Sequence, residues 1–428
     1  MYIKRNYYLN QLISSLGNGM VKIVTGPRRS GKSFLVFHLF KDYLLNQGVS
    51  ENHIIEMSLD SAKNVKYRNP LSLAAYFDER HHSDGKTYYF LIDEIQFAKN
   101  CPNPFLTDQE VTFYDSLNQF LGYHDAEIIV TGSNSNRLSK DIATEFRGRG
   151  WQIRMHPLSF AEFKEGRVSL DLDDFSLWNL YRLYGGLPAI LNIPDIPSKR
   201  KYLEEVFNIT YRKDIIDRYG LRSDTSISDI TKIRASSVGS LVNPRKISDT
   251  FLSTEKTNIS CPTIKRYLDY REDSFLLSKA ERFDIKRRRF IQANCKYYFE
   301  DMGLRNAAVR FTGDDQEPHF MENIIYNELI RRGYQVSVGI VSGMENGKRK
   351  DYEIDFVADK GNEKVYIQSA LLMPDEEKMN QEKRPLRKIK DSFKKIIITK
   401  YSGNGLYDED GILHLNLFDF LEHPNRIE

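Results

Sequence analysis

The feature that most constrains the fold is the segment GPRRSGKS, Gly26 to Ser33, which lies between an apolar run and an amphipathic stretch. Glycine, four residues and then Gly-Lys-Ser is the pattern of a loop that surrounds phosphate groups, provided that a strand precedes it and a helix follows it. Both conditions are met, because Val21 to Thr25 is typical of a short buried strand and Phe34 to Tyr43 of an amphipathic helix. The sequence therefore predicts an α/β domain built around this loop.

The residue types in the loop explain how it would hold a nucleotide. Gly31 lets the backbone turn tightly enough to aim N–H groups at phosphate oxygens, and the start of the helix adds positive potential. Lys32 would reach the β- and γ-phosphates, and the Ser33 hydroxyl can ligate Mg²⁺. We expect ATP and Mg²⁺ as ligands, with Arg28 and Arg29 as solvated positions that take no part in catalysis. The predicted nucleotide-binding residues are Gly26, Pro27, Arg28, Arg29, Ser30, Gly31, Lys32, Ser33 and Phe34.

A second apolar run, KTYYFLIDEIQF, contains Asp93 followed by Glu94. A buried parallel strand has such a composition, and ligands bind at the C-terminal ends of these strands in open α/β sheets. Asp93 is predicted to hold the Mg²⁺ directly or through a water, and Glu94 to polarise the attacking water as a general base. The second acid favours hydrolysis over simple binding, so the pair predicts an ATPase.

A third strand is predicted in AEIIVTGSNSNRLS, and polar residues follow it. Ser133 and Asn134 would sense the γ-phosphate there, or would only cap the next helix. Arg147 and Arg149 precede a further strand. One of them is a candidate arginine finger supplied to a neighbouring subunit, which would imply a homo-oligomer, and the alternative is an ordinary surface arginine.

Together the loop with its paired arginines, LIDEIQ, TGSNS, GRGWQIRMHPLSFAEF and YGGLPAIL resemble the prokaryotic AAA-type P-loop ATPase family that carries a C-terminal domain of unknown function. The segments KYYFEDMGLRNA, MENIIYNELIRRGYQV, EIDFVADKGNEKVYIQ and RPLRKIKDSF extend the resemblance over nearly the whole chain. The resemblance implies that Asp93 and Glu94 are the metal and water residues. It also implies Ser133 or Asn134 as the sensor and Arg149 as the finger.

The expected fold class is α/β, with four domains in sequence order. They are a P-loop AAA-type ATPase core at 1–157, a helical lid at 158–225, a winged helix at 226–300 and a restriction-endonuclease-like α/β domain at 301–428. The resemblance further implies that Pro188, at the end of GGLP, belongs to a lid motif near the adenine.

The predicted winged helix carries a basic segment. Residues 279–296 hold seven basic side chains against two acidic ones. In the expected order of helix, turn, helix and two strands, KRRR forms the tip of the hairpin, and Arg287, Arg288 and Arg289 are candidate contacts to DNA phosphates. The alternative is a winged helix that binds protein, in which the basic tip is only solvated.

The last domain resembles nucleases of the restriction-endonuclease type in its predicted helix and strand order. Glu322, Asp355 and Gln368 fill three positions of the metal site of such enzymes. Ala370 stands where a lysine is usual, and Gln368 is neutral although Mg²⁺ prefers carboxylates. We therefore expect the fold without nuclease activity.

Two residues leave an alternative open, because Glu353 or Lys378 could complete a rearranged nuclease site. The competing functions are accordingly an ATP-gated, metal-dependent nuclease and a non-enzymatic switch that binds ATP and recruits proteins. The three cysteines, Cys101, Cys261 and Cys295, lie far apart, which suits a reduced, cytoplasmic protein. The N-terminus has no signal-peptide pattern, and no apolar run is long enough to span a membrane. The net charge of +3 does not by itself point to any class of partner.

Overall fold

The computed structural model divides the chain into two compact units. The first consists of Met1–Pro157 with Asp273–Phe275, and the second of Leu158–Glu272 with Leu276–Glu428. The described residues are 3–82, 84–133, 148–167, 172–208, 214–220, 230–233, 235, 239–254, 259–312, 316–345, 347–403 and 405–427.

A five-stranded parallel sheet forms the centre of the first unit. Its strands lie in the order β2-β3-β6-β1-β7, so β1 has β6 and β7 as neighbours. Most of the side chains of these strands are buried, as expected for a parallel sheet covered on both faces. The strands of this unit are β1 Val21–Thr25, β2 Ile54–Ser58, β3 Tyr88–Asp93, β4 Cys101–Pro102, β5 Glu110–Val111, β6 Ala126–Gly132 and β7 Gly150–Arg154.

Helices cover both faces of this sheet. Alternate residues of one strand point to opposite faces, so Ile23 packs with Phe77 and Phe90, whereas Val24 packs with Leu35 on the other side. Helix α2, which follows the GPRRSGKS loop, is α-helical at Lys32–Phe34 and Lys41–Asn46 and π-helical at Leu35–Phe40. The helices of the unit are α1 Asn6–Ser14, α2 at 32–46, α3 Pro70–Arg80 and α4 Phe113–Phe120.

The second unit contains an eight-stranded mixed sheet in the order β14-β15-β13-β12-β11-β10-β8-β9. Strands β10, β11 and β12 pair antiparallel, and β12, β13 and β15 pair parallel. The strands are β8 Leu277–Asp284, β9 Arg289–Phe299, β10 Gln335–Glu345, β11 Lys348–Lys360, β12 Glu363–Ala370, β13 Lys394–Thr399, β14 Leu406–Tyr407 and β15 Ile412–Asn416.

Helices of the second unit share one apolar core with this sheet, in which Trp178, Ile325 and Ile367 are fully buried. Among the residues that the structure describes, no helix is long and apolar enough to cross a membrane. The helices are α5 Phe160–Glu165, α6 Asp174–Tyr184, α7 Ile196–Glu205, α8 Asp214–Tyr219, α9 Pro244–Thr254, α10 Cys261–Asp273, α11 Met302–Ala308, α12 Glu317–Arg331, α13 Glu376–Arg387 and α14 Leu417–Glu422.

The α/β class and the parallel sheet around the loop are as predicted. In the second unit the order α12, β10, β11, β12, α13, β13 follows the predicted series of helices and strands. The hairpin β8–β9 differs from the expectation, because β8 pairs in parallel with β10 and the hairpin joins the large sheet. The strand pairing therefore does not show a separate winged-helix domain, and the nuclease-like interpretation remains a prediction.

Candidate functional site

The GPRRSGKS loop connects β1 to α2 and adopts backbone conformations that glycine permits. Gly26 has φ +145° and Gly31 has φ +96°, both outside the range that other residues readily take. A Cβ on Gly26 would also collide with the carbonyl oxygen of Met155. Arg29 has a positive φ of 65° and is exposed, whereas Arg28 beside it is half-buried. The backbone conformation of the loop thus favours glycine at both glycine positions of the motif.

Lys32 lies at the start of α2 with its ammonium inside the loop. Its Nζ donates hydrogen bonds to the carbonyl oxygens of Gly26 at 3.0 Å and Pro27 at 2.8 Å. Burial lowers the pKa of Lys32 to about 8, although the carboxylates of Glu94 and Asp93 act in the opposite direction. The loop therefore holds a cation that is only partly compensated, which suits a site for phosphate.

The C-terminal ends of β3 and β6 meet the loop at Ser33. The Ser33 hydroxyl donates to Oδ1 of Asp93 at 3.0 Å, and the Thr131 hydroxyl donates to the same oxygen. Asp93 is buried, so this carboxylate is held in one orientation. A hydroxyl and a carboxylate oxygen so close together form a hard donor set of the kind that Mg²⁺ prefers, with phosphate oxygens completing it. Ser33 and Asp93 therefore fit the metal that the sequence predicts.

Glu94 follows β3 in a left-handed conformation, with φ 57°. Its backbone N–H donates to the Thr131 hydroxyl at 3.1 Å, which ties this turn to β6. Burial raises the pKa of Glu94, and Lys32 acts against this shift. The Gln96 side-chain amide donates to the Glu94 carboxylate and to Oγ of Ser133 at 3.2 Å. One amide thus connects the predicted base to the predicted sensor.

The remaining predicted residues are less constrained. Ser133 is buried at the end of β6, whereas Asn134 and Arg147 lie outside the described residues. Arg149 is exposed just before β7, and its finger role remains a prediction. Pro188 starts a 3-10 turn, Pro188–Leu191, in the second unit, so an adenine contact also remains a prediction. Phe34 lies within α2, half-buried beside His38.

Two residues of the first unit contact the site although the sequence did not predict them as site residues. Gln96 belongs to the quoted LIDEIQ segment, and its position two residues after Glu94 was the available signal. Arg5 gave no signal, because its partners are distant in sequence. Its guanidinium donates to the carbonyl oxygens of Ser30 at 3.2 Å and His156 at 2.6 Å. Arg5 therefore connects the loop to the segment that follows β7.

In the second unit, the structure brings Glu322, Asp355 and Gln368 together. The Asp355 N–H lies 3.4 Å from Oε1 of Gln368, and Asp355 and Glu322 both approach one lysine, Lys296. That lysine comes from β9, so a lysine from another strand lies in this cluster although the usual lysine position is Ala370. The lysine position two residues after Gln368 is indeed an alanine, at the end of β12.

The structure also locates Glu353 and Lys378, the two alternative residues for this site. Glu353 joins the cluster through Lys296, at 2.8 Å. Lys378 instead pairs with Glu382 at 2.6 Å, and Glu382 accepts a hydrogen bond from the Gln368 amide at 3.2 Å. Lys378 is thus connected to Gln368 only through the side chain of Glu382.

The basic hairpin turn between β8 and β9 is exposed. Lys286 and the three arginines 287–289 all face solvent, and Arg287 lies 3.8 Å from Asp284. Lys296 is buried and engaged by carboxylates. The local excess of positive charge available to a partner is therefore smaller than the sequence count indicates.

Two family profiles match the chain. An AAA domain covers residues 18–164, and a domain of unknown function (DUF8612) covers residues 176–315. A Haemophilus influenzae protein named only as uncharacterized is 35% identical over 98% of both chains. This chain belongs to the same family. An uncharacterized protein of Methanocaldococcus jannaschii is 27% identical over 87% of this chain and 79% of its own length.

The AAA-type part of the predicted resemblance is confirmed, and AAA domains bind and hydrolyse ATP. The matched residues include the loop, Asp93, Glu94 and Ser133. Among solved structures, the Aeropyrum pernix ORC1 protein in complex with DNA aligns with 72% of this chain and 92% of its own, at 11% identity and a TM-score of 0.33. A likeness of that size has no bearing on what this chain binds.

Proposed function

We propose that this protein is a Mg²⁺-dependent ATPase whose second unit binds DNA without cleaving it. The observation that carries the first part is the convergence of Lys32, Ser33, Asp93 and Glu94 at the ends of β1 and β3. A buried cation, an oxygen pair for a metal and a separate carboxylate are the three elements that hydrolysis of a phosphoanhydride requires.

Each of these residues has one task in the proposed reaction. Lys32 binds the β- and γ-phosphates, while Ser33 and Asp93 hold Mg²⁺, which would neutralise developing phosphate charge. Glu94 accepts a proton from the attacking water, and its raised pKa makes it a stronger base than an exposed carboxylate. Ser133 contacts the γ-phosphate from the end of β6.

The decisive experiment is the hydrolysis of radiolabelled ATP by the wild type and by Lys32→Ala. Loss of turnover together with weaker ATP binding is expected. Lys41→Ala is the matched control, because Lys41 lies on the same helix and pairs with Glu56 at 2.8 Å, away from the loop. Wild-type turnover by Lys32→Ala would overturn the assignment of the nucleotide site.

DNA binding is proposed on the exposed turn between β8 and β9. Arg287, Arg288 and Arg289 place three guanidinium groups at one hairpin end, and such groups bind phosphates without reading sequence. We expect weak, largely sequence-independent binding. ATP turnover measured with and without DNA separates this function from a switch that recruits proteins, because only a DNA-coupled ATPase responds.

No cleavage of DNA is expected with Mg²⁺ or Mn²⁺, with or without ATP. Gln368 removes one ligand charge from the predicted nuclease-like site, which weakens its hold on a metal. Supercoiled plasmid and single-stranded DNA would be incubated with the wild type and with Asp355→Ala. Cleavage that disappears in Asp355→Ala would establish the rival function, an ATP-gated nuclease.

A further inference from the structure

Lys296 lies at the centre of a cluster of charged side chains in the described part of the second unit. The Nζ of Lys296 lies 2.8 Å from Oε1 of Glu322, 2.8 Å from Oε1 of Glu353 and 3.8 Å from Oδ1 of Asp355. These residues come from β9, α12 and β11, and Lys296 is only 3% exposed. One ammonium group on β9 therefore joins one carboxylate of α12 and two of β11.

Two of the three acids also accept hydrogen bonds from other groups of the protein. The Tyr298 hydroxyl donates to Oε1 of Glu322 at 2.6 Å, and the Ser369 N–H donates to Oδ2 of Asp355 at 2.8 Å. Ordinary carboxylate ligands of a divalent metal must aim free oxygens at one point, 2.0–2.6 Å from the ion. Here the oxygens that converge are directed at the ammonium group of Lys296.

The charge states agree with this geometry. Burial alone would lower the pKa of Lys296, but Glu322, Asp355 and Glu353 raise it above the ordinary value, so the ammonium stays charged. Burial also tends to raise the pKa of Glu322, but Lys296 lowers it overall. Burial and Glu322 raise the pKa of Asp355 well above its ordinary value, with Lys296 acting against them. At neutral pH Asp355 therefore holds a proton more readily than an exposed aspartate would.

The residues present do not fit a resident divalent metal. A lysine that assists a metal site stands to one side of the metal, in contact with the reacting phosphate, whereas Lys296 lies between the helix acid Glu322 and the strand acid Glu353. Within the described part of the chain, no three His, Cys, Asp or Glu side chains converge in an arrangement that could hold a metal ion. Gln368 adds no charge to attract one.

We propose that Lys296 is the built-in cation of this carboxylate cluster and occupies the position that a divalent metal would need. The cluster then holds α12 against the sheet and takes up no metal. This inference is independent of ATP hydrolysis by the first unit, and it gives the expected absence of DNA cleavage a cause other than the missing lysine at Ala370.

Manganese ions alone, without nucleotide, are the probe. Free Mn²⁺ would be counted by electron paramagnetic resonance, and thermal unfolding would be followed at rising Mn²⁺ concentration. Lys296→Met removes the ammonium and keeps an unbranched side chain of similar length. It is expected to unfold at a lower temperature than the wild type without Mn²⁺, to bind one additional Mn²⁺ per chain and to regain several degrees of stability with it.

Three variants make the result specific. Lys296→Arg keeps a cation and should bind no more Mn²⁺ than the wild type. Lys296→Met combined with Asp355→Asn should lose the additional ion. Lys296→Met combined with Glu353→Gln removes one positive and one negative charge. This double variant replaces the single variant in the experiment if Lys296→Met alone does not fold. Any Mn²⁺ bound by the first unit is common to all of these proteins and cancels in the comparison.

Two outcomes would overturn the proposal. One is a wild type that binds more Mn²⁺ than Asp355→Asn, which would place a metal in the native cluster. The other is a folded Lys296→Met protein that binds no more Mn²⁺ than the wild type. The comparison of the wild type with Asp355→Asn needs no lysine variant. It therefore decides whether the native cluster binds a metal even if every lysine variant fails to fold. Loss of ATP turnover in Lys32→Ala would be unaffected by either outcome.

Discussion

The affinity for ATP should fall as the pH rises through 8, because of the environment of Lys32. Its ammonium is buried inside the loop and donates to the carbonyl oxygens of Gly26 and Pro27. Burial lowers its pKa to about 8, so this lysine loses its proton in a range where an ordinary surface lysine remains charged.

The direction and size of the effect follow from the coupling of proton and nucleotide binding. Bound phosphates favour the charged lysine and raise its pKa, so above pH 8 the protein takes up a proton when it binds ATP. The phosphates themselves are already ionised there. The charged fraction of Lys32 is about one half at pH 8 and about one tenth at pH 9, so the affinity should fall about fivefold over that interval and about tenfold per unit beyond it.

Titration of the protein with a fluorescent ATP analogue in the presence of Mg²⁺, from pH 7.5 to 9.5, measures this dependence. Lys32→Arg is the matched control, because a guanidinium remains charged throughout the range and should give weaker binding with a flat profile. The same Kd for the wild type at pH 7.5 and 9.5 would refute the argument. An equal decline in Lys32→Arg would assign the titration to another group.

Three further outcomes are expected. Glu94→Gln should still bind ATP but release radiolabelled phosphate more slowly by about 10²–10⁴, and normal turnover would mean that the base is elsewhere. Changing Arg287, Arg288 and Arg289 to alanine should flatten the slope of log K for DNA binding against log salt concentration by about two to three units in anisotropy titrations. An unchanged slope would show that the hairpin does not contact DNA. Gly26→Ala should lower the Tm and abolish ATP binding, since φ is +145° and a Cβ has no room; thermal unfolding with and without ATP tests this, and unchanged values would contradict the loop geometry.

The nucleotide site was accessible from the sequence because its chemistry is concentrated in short segments. The glycine and lysine spacing of the loop fixes a local backbone shape, and Asp93 and Glu94 follow a strand whose composition identifies it. Parallel pairing of β3, β6 and β1 then brings the strand ends together, as the class of fold requires. Arg5 was missed because a guanidinium that binds backbone carbonyls leaves no pattern in the sequence.

The second unit shows where such reasoning fails. A motif with fixed spacing describes side chains on one strand, so Ala370 indicated a site without a lysine. The structure supplies a cation from β9, an edge strand of the same sheet, and only the pairing of β8 with β10 and the packing of α12 bring it near. Sequence spacing cannot specify which strands of a mixed sheet become neighbours. The identity of residue 370 therefore does not determine the charge of this site, and Lys296 must be tested directly.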